Sequence, residues 1–198
     1  MNVKFKIVVA VCVVVAFAFN VAGFAADCEK VRADVLRLHV VAASDSDFDQ
    51  SLKLKVRDAV LEQGGALFNG TVTADEAEKI ITPEISMLKA TAEKVLHDNG
   101  CDYTVDISVG EEYFATRCYE NFTMPAGVYT AVRVNIGSAE GENWWCVMFP
   151  PLCLPAATVD ADAFFDDDEM KIVSSSPVYE PRFKIVEIYE SVKNKLFG

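Results

Sequence analysis

The most apolar stretch of the chain lies at its start, where Ile7 to Phe19 contains no polar side chain. Two lysines precede this stretch, and Gly23 to Ala25 supplies small residues at the spacing that a signal peptidase requires. We therefore predict a signal peptide over residues 1–25, with cleavage after Ala25. The alternative is an uncleaved membrane anchor, because Ile7 to Ala26 provides about the 20 residues that a helix needs to cross a bilayer. In either form the remaining chain is exported.

Alternating apolar and polar residues predict the first strand, over residues 34–42. The apolar side chains at the even positions share one face, whereas Arg37 and His39 share the other. A strand of this kind is either half-buried or has its polar face covered by another part of the protein.

A capping pattern predicts that a helix follows this strand. Ser46 is suited to the N-cap, Asp49 stands at the third helical position, and an exposed ion pair is expected between Asp49 and Lys53. The alternating acids of this segment also resemble a calcium loop, but glutamine and valine occupy the positions where that loop needs glycine and glutamate. The helix is expected to end near Gln63, because Gly64 and Gly65 follow.

A second helical region is predicted between the capping box Thr73 to Glu76 and the terminating Gly100. Thr82 and Pro83 interrupt it, since proline is tolerated only in the first turn of a helix. The part after the interruption has an apolar stripe at helical spacing and is expected to lie across a sheet. The stripe consists of Ile81, Ile85, Leu88, Ala92 and Val95.

Period-two alternation returns after Cys101 and predicts a β-hairpin that turns at Val109 and Gly110. This hairpin would place Cys101 opposite Cys118, so a disulfide between them is one arrangement of the cysteines, with Cys28 then left over. A further strand is predicted over residues 129–136.

The most unusual stretch of the sequence is the strand predicted over Trp144 to Phe149. Neighbouring strand residues point to opposite faces, so one of Trp144 and Trp145 should face the core. The other should lie under a helix or be exposed to a partner. A Pro-Pro pair ends the strand and turns the chain back, which leads us to hypothesise a Cys146–Cys153 disulfide; the alternative is two buried free thiols.

Together these elements predict an α+β fold with a mostly antiparallel sheet of about five strands. Two to three helices should pack on one face of the sheet, and a C-terminal helix should follow. We expect a domain over residues 26–156, an acidic linker over 157–181, and an amphipathic helix over 182–198 that docks back onto the domain.

Composition narrows the classes of partner. The 198 residues carry a formal net charge of −12 and have a pI near 4.6. Such an acidic surface excludes a nucleic-acid partner, which requires a basic face. Export also places the cysteines in a compartment where disulfides persist.

Signatures of catalysis are missing from the sequence, including G-x-S-x-G, H-E-x-x-H and a Gly-rich phosphate loop. We therefore predict a protein that is not an enzyme and that needs no metal, cofactor or small-molecule ligand. The alternative is an exported hydrolase in which His39 acts as a base and a neighbouring carboxylate, Asp45 or Asp49, orients it.

Two blocks of the chain resemble the stage II sporulation protein R family, and together they span most of residues 34–153. The first block is Leu36 to Ala42, Ser44 to Ser46, Asp49-Gln50, Lys53 and Val56 to Leu61. The second is Glu112 to Phe114, Thr116-Arg117, Pro125 to Gly127, Tyr129, Arg133, Ile136-Gly137 and Asn143 to Cys153.

This resemblance implies a signalling role in endospore formation. Members of the family are made in the forespore and exported into the space that faces the mother cell. There they activate a membrane-embedded aspartic protease that removes the pro-sequence of sigma factor E. The resemblance therefore implies that this protease is the partner.

The residues that would contact such a partner are our own hypothesis. Binding hot spots are usually aromatic or arginine side chains. We therefore choose the outward-facing one of Trp144 and Trp145, together with Arg117, Tyr113 and Arg37, as candidate contacts. The alternative is that the tryptophans belong wholly to the core.

Overall fold

The computed structural model describes residues 2–68, 70, 73–119, 122–152, 164–173 and 181–197. The chain forms two compact units that both draw on separate segments of sequence. The first unit comprises Met1–Arg32, Phe114–Gly127 and Asp166–Gly198. The second comprises Ala33–Tyr113 and Val128–Phe165.

A mixed four-stranded sheet forms the centre of the second unit, in the order β2-β5-β1-β6. Its strands are β1 (Leu36–Val41), β2 (Val105–Phe114), β5 (Gly127–Ile136) and β6 (Asn143–Phe149). β1 runs parallel to β5 and antiparallel to β6. A separate two-stranded sheet pairs β3 (Arg117–Cys118) with β4 (Thr123–Met124). The predicted α+β class is confirmed, but the main sheet has four strands instead of about five, and β1 and β5 run parallel within it.

Three helices accompany this sheet: α2 (Asp47–Leu67), α3 (Ala74–Ile81) and α4 (Ile85–Asp98). Their apolar stripes and one face of the sheet form a single hydrophobic core. The predicted caps are confirmed, because the side chains of Ser46 and Thr73 each accept a hydrogen bond from a backbone N–H of the first helical turn. Gly100 follows α4 with a positive φ of 76°, as a residue beyond a C-cap requires.

The prediction that Gly64 and Gly65 end α2 was wrong, because the helix continues to Leu67. Gly64 is buried, and a Cβ at this position would meet the terminal methyl of Met148 on β6. The glycine lets α2 lie close to the sheet, and the packing outweighs the cost of about 1 kcal/mol for a glycine inside a helix.

The predicted hairpin was also wrong, because β2 runs without a break through Val109 and Gly110. β5 pairs along this strand, so the residues after Cys101 find a sheet partner that is distant in sequence. Cys101 and Cys118 are both free thiols, the first buried and the second exposed, so they form no disulfide.

Asp49 and Lys53 do not form the exposed ion pair that helical spacing predicts, because both side chains are buried. Lys53 Nζ instead donates to Gln50 Oε1 at 2.5 Å and to the Glu142 carbonyl at 2.9 Å. Burial lowers the pKa of Lys53, although the negative charges of Glu142 and Asp45 oppose this shift.

Helices dominate the first unit, which contains α1 (Val3–Ala33), α5 (Asp167–Val173) and α6 (Pro181–Phe197). α1 is continuous through the predicted cleavage position and is long and apolar enough to cross a membrane. Arg32 at its end donates to the Ala126 carbonyl at 2.8 Å and lies 3.3 Å from the Glu190 carboxylate of α6. The signal-peptide boundary stays a prediction.

The acidic segment predicted as a linker over residues 157–181 contains helix α5. Asp166 caps this helix by accepting hydrogen bonds from the backbone of Asp168 and Glu169, and Glu169 accepts one in return from the Asp166 backbone. Residues 157–163 and 174–180 of the predicted linker lie outside the described residues.

Candidate partner-binding surface

The start of β6 is held in place by two loops that lie against each other. Gly141 donates to the Ala42 carbonyl at 3.0 Å, and Asp45 accepts from the Glu142 N–H at 2.7 Å. A Cβ at Gly141 would collide with the backbone of Ser44, so only glycine allows this approach. The loop contacts therefore fix the position at which the tryptophan strand begins.

Trp144 lies on the helical face of the sheet and is 37% exposed. The guanidinium carbon of Arg57, on α2, lies 4.5 Å from the centre of its ring, in a cation–π contact. Asp58 holds this guanidinium in turn, at 2.7 Å from Nη2. An aromatic ring that is fixed in place yet still reaches solvent is suited to contact a partner.

Trp145 lies on the opposite face of β6, beside His39 of β1. The two rings stack with their centres 5.5 Å apart and their planes 20° from parallel. Trp144 therefore points to the face of the sheet that carries the core, as the sequence predicted for one tryptophan, although it stays partly exposed. Trp145, on the other face, is half-buried. β6 is an edge strand, and both tryptophans directly follow its first residue, Asn143.

Polar side chains connect the strands on the face that carries Trp145. His39 Nδ1 lies 2.8 Å from Glu112 Oε1, and His39 Nε2 lies 2.7 Å from Asn143 Oδ1. Arg133 Nη1 donates to the same Glu112 oxygen at 3.0 Å, and its Nε donates to Asn135. This network spans β6, β1, β5 and β2.

The charge of Glu112 is stabilised by its neighbours. Burial by itself would raise the pKa of the Glu112 carboxyl. The hydrogen bond and positive charge of His39, together with Arg133, outweigh this effect and hold the pKa below its ordinary value. Within the described residues, Glu112 Oε2 is buried and accepts no hydrogen bond.

A shallow groove of about 140 Å³ lies beside Glu112 and Arg133, with Ser108, Gly110 and Ala131 also lining it. The parts of the chain that the structure describes hold no cluster of three or more His, Cys, Asp or Glu side chains that would bind a metal ion.

The arrangement around His39 is better suited to structure than to general-base catalysis. Both ring nitrogens already face an oxygen acceptor, so neither presents a lone pair to a substrate. The carboxylate beside His39 is Glu112, whereas Asp49 binds the Ser44 hydroxyl and Asp45 binds the backbone of Glu142. The predicted pairing of His39 with Asp45 or Asp49 was therefore wrong.

The other candidate contact residues, Arg37, Tyr113 and Arg117, differ in burial and in the strand that carries them. Arg37 is fully buried, with its guanidinium carbon 5.0 Å from the centre of the Tyr129 ring and its Nε donating to the Cys146 carbonyl at 2.8 Å. It therefore does not belong to an exposed surface. Tyr113 is half-buried on β2, and Arg117 is half-buried on β3 of the first unit.

Cys146 is buried in β6. Its predicted disulfide partner, Cys153, lies outside the described residues. The Cys146–Cys153 bridge therefore stays a prediction.

Sequence reasoning missed three residues that shape this surface: Arg57, Glu112 and Asn143. The contact of Arg57 with Trp144 can be predicted only when it is known that α2 packs against β6. Glu112 is separated from His39 by 73 positions, and no local pattern connects them. All three residues nonetheless lie within the blocks that carry the family resemblance.

Comparison with known proteins gives two matches to this chain. A family model described as stage II sporulation protein R matches residues 32–159. The chain is also 36% identical over 118 residues to stage II sporulation protein R of Bacillus subtilis (strain 168). That match covers 60% of this chain and 53% of the relative, so the chain spans about half the relative's length. No solved structure matches the chain.

Proposed function

The chain belongs to the stage II sporulation protein R family, and on this premise we propose that it is an exported signalling protein of endospore formation. It acts in the space between the forespore and mother-cell membranes. There it activates the membrane-embedded aspartic protease that processes the pro-form of sigma factor E. The apolar N-terminal helix supports the export step.

The observation that carries the proposed mechanism is the exposure of Trp144, beside the half-buried Trp145, at the edge of the sheet. We define the tryptophan edge as Trp144 and Trp145 with their supports Arg57 and His39. Trp144 is exposed beside a positive charge, and Trp145 is held against the polar network. Aromatic rings that are fixed before binding lose little conformational entropy when they enter a pocket. The tryptophan edge would thus favour the active state of the protease by binding that state more tightly than the inactive one.

We further propose that the protein itself is not a catalyst. The absence of hydrolase motifs from the sequence and the double engagement of the His39 ring both support this view. A Cys146–Cys153 disulfide would brace the end of the tryptophan strand in the oxidising space outside the cytoplasm.

A second candidate function is an exported hydrolase, which one observation favours: His39 lies 2.8 Å from a carboxylate. The two functions are separated by His39→Gln, which keeps hydrogen-bonding groups but removes the base. A hydrolase would lose activity altogether. A signalling protein that still folds would lose only the support that the His39 ring gives to Trp145, and would retain part of its activation of the protease.

The experiment that tests the proposed function is co-expression in a host that does not sporulate. This protein, the membrane-embedded aspartic protease and the pro-form of sigma factor E are produced together, and shortening of the sigma factor is followed. We expect shortening only when this protein is exported. A variant without residues 1–25 and a protease lacking its catalytic aspartates are the controls. Absence of shortening, with export of this protein demonstrated, would contradict the proposal.

A further inference from the structure

Helix α6 carries an apolar stripe that faces away from its neighbours in the first unit. Ile188 is 56% exposed, Tyr189 is 60% exposed and Val192 is 51% exposed. Ile185 and Leu196 continue this stripe at helical spacing. The opposite side of α6 is buried, with the Phe183 ring centre 5.1 Å from that of Phe24 on α1. The exposed stripe is therefore not the side by which α6 docks.

The net charge of α6 is positive, whereas that of the whole chain is negative. The helix has four basic and two acidic residues, in a chain whose net charge is −12. At 100° per residue, Lys184 and Lys195 flank the apolar stripe on one side and Lys193 flanks it on the other. All three lysines are exposed. Lysines along both margins of an apolar stripe are typical of helices that lie in the interface of an anionic membrane.

The apolar surface continues from α6 onto α1. A groove of about 570 Å³ lies between the two helices, lined by Ile185, Val186 and Tyr189 of α6 and by a stripe of α1 from Phe17 to Ala25. That part of α1 belongs to the apolar run that is long enough to cross a bilayer. A groove of this volume with an apolar lining is suited to receive a lipid acyl chain.

We propose that α6 lies in the surface of the membrane that α1 crosses, with the apolar stripe among the acyl chains and its lysines at the phosphate groups. This inference rests on the proposed export in its uncleaved form, in which α1 is retained. It concerns a part of the chain beyond residues 32–159, the range that matches the family. The protein would then be held by one spanning and one interfacial helix, which fixes its orientation toward a membrane-embedded partner.

Fluorescence quenching in vesicles tests this placement. The full chain is reconstituted in vesicles of phosphatidylglycerol and phosphatidylethanolamine that contain brominated acyl chains. A fluorescent amino acid replaces either Val192, on the stripe, or Glu187, on the opposite side of the helix. We expect the brominated lipids to quench the fluorophore several-fold more strongly at position 192 than at position 187. Equal quenching at both positions would overturn the proposal.

Two matched substitutions then test the cause, with the fluorophore at position 192. Ile188→Asp should abolish the quenching, because it places a charge in the apolar stripe. Glu187→Asp, on the opposite side, should leave the quenching unchanged. A fluorophore at 192 that is shielded only when the protease is also reconstituted would instead identify a protein as the occupant and overturn the proposal. Because these vesicles need neither protease nor sigma factor, failure here is distinct from failure of the signalling function.

Discussion

Replacing Trp144 with alanine tests whether this side chain contacts a partner or only stabilises the fold. The ring is 37% exposed, so truncation removes roughly 100 Å² of buried apolar surface, worth about 2.5 kcal/mol at 25 cal/mol per Å². Loss of the contact with Arg57 adds about 0.5–1 kcal/mol. Domains are typically stable by about 5–15 kcal/mol. We therefore expect Trp144→Ala to lower the free energy of unfolding by about 3 kcal/mol and still to fold.

The effect on signalling should be larger than this loss of stability explains. A hot-spot residue contributes at least about 2 kcal/mol to binding, which corresponds to about 30-fold weaker affinity on truncation. We expect Trp144→Ala to reduce sigma factor shortening sharply in the co-expression assay. Urea unfolding of the purified protein gives the stability of the same variant.

A control with equal destabilisation makes the comparison decisive. Leu96 is fully buried on α4, and Leu96→Ala should lower the free energy of unfolding by about 2–5 kcal/mol through the cavity that it leaves. This variant keeps the tryptophan edge and should retain signalling. Equal loss of signalling in Trp144→Ala and Leu96→Ala would refute the contact role, as would full signalling by Trp144→Ala.

Three further predictions concern the support of this surface. Gly141→Ala should lower the free energy of unfolding in urea by about 1–3 kcal/mol, because the added Cβ meets the backbone of the facing loop. Gly110→Ala is the control and should not show this loss, because a Cβ at that position meets no neighbouring atom within 4 Å. Because folding lowers the pKa of Glu112, its carboxylate stabilises the fold at any pH above the ordinary carboxyl pKa, and this stabilisation is lost as the pH falls through the folded-state pKa. Glu112→Gln should therefore make the free energy of unfolding less dependent on pH in the acid range. Thiol labelling in denaturant without reductant should leave Cys146 and Cys153 unmodified if they are bridged, and labelling of both would exclude the bridge.

Local sequence patterns predicted the helices and their caps better than the pairing of the strands. Ser46 and Thr73 satisfy backbone donors within their own first turn, so the information lies within four residues. β2 is different, because its partner β5 begins 13 residues after β2 ends, beyond the reach of a local pattern. Alternation also does not indicate whether Gly110 turns a chain or lies within a strand.

The candidate surface was predicted only in part for the same reason. The tryptophans were evident from their unusual sequence, yet their exposure depends on β6 being an edge strand. Arg37 was chosen as an arginine able to contact a partner, but the sheet buries it against Tyr129. The burial of a charged residue is not visible in alternation, because a strand with both faces covered and one with a solvated face can share a pattern.

The fold explains why the two blocks that resemble the family lie so far apart in sequence. β1 of the first block is one of the two inner strands of the sheet and pairs with β6 of the second. Hydrogen bonds of Asp45, Lys53 and Gly141 also join the loop before β6 to the first block. Lys53 and Asp49 are buried polar groups, and their hydrogen bonds with the Glu142 carbonyl and the Ser44 hydroxyl offset part of the cost of burying them. The first block thus fixes the geometry of the tryptophan edge without having to contact a partner. A surface fixed in advance in this way loses less entropy on binding. The activation that we propose further requires that this surface binds the active state of the protease more tightly than the inactive one.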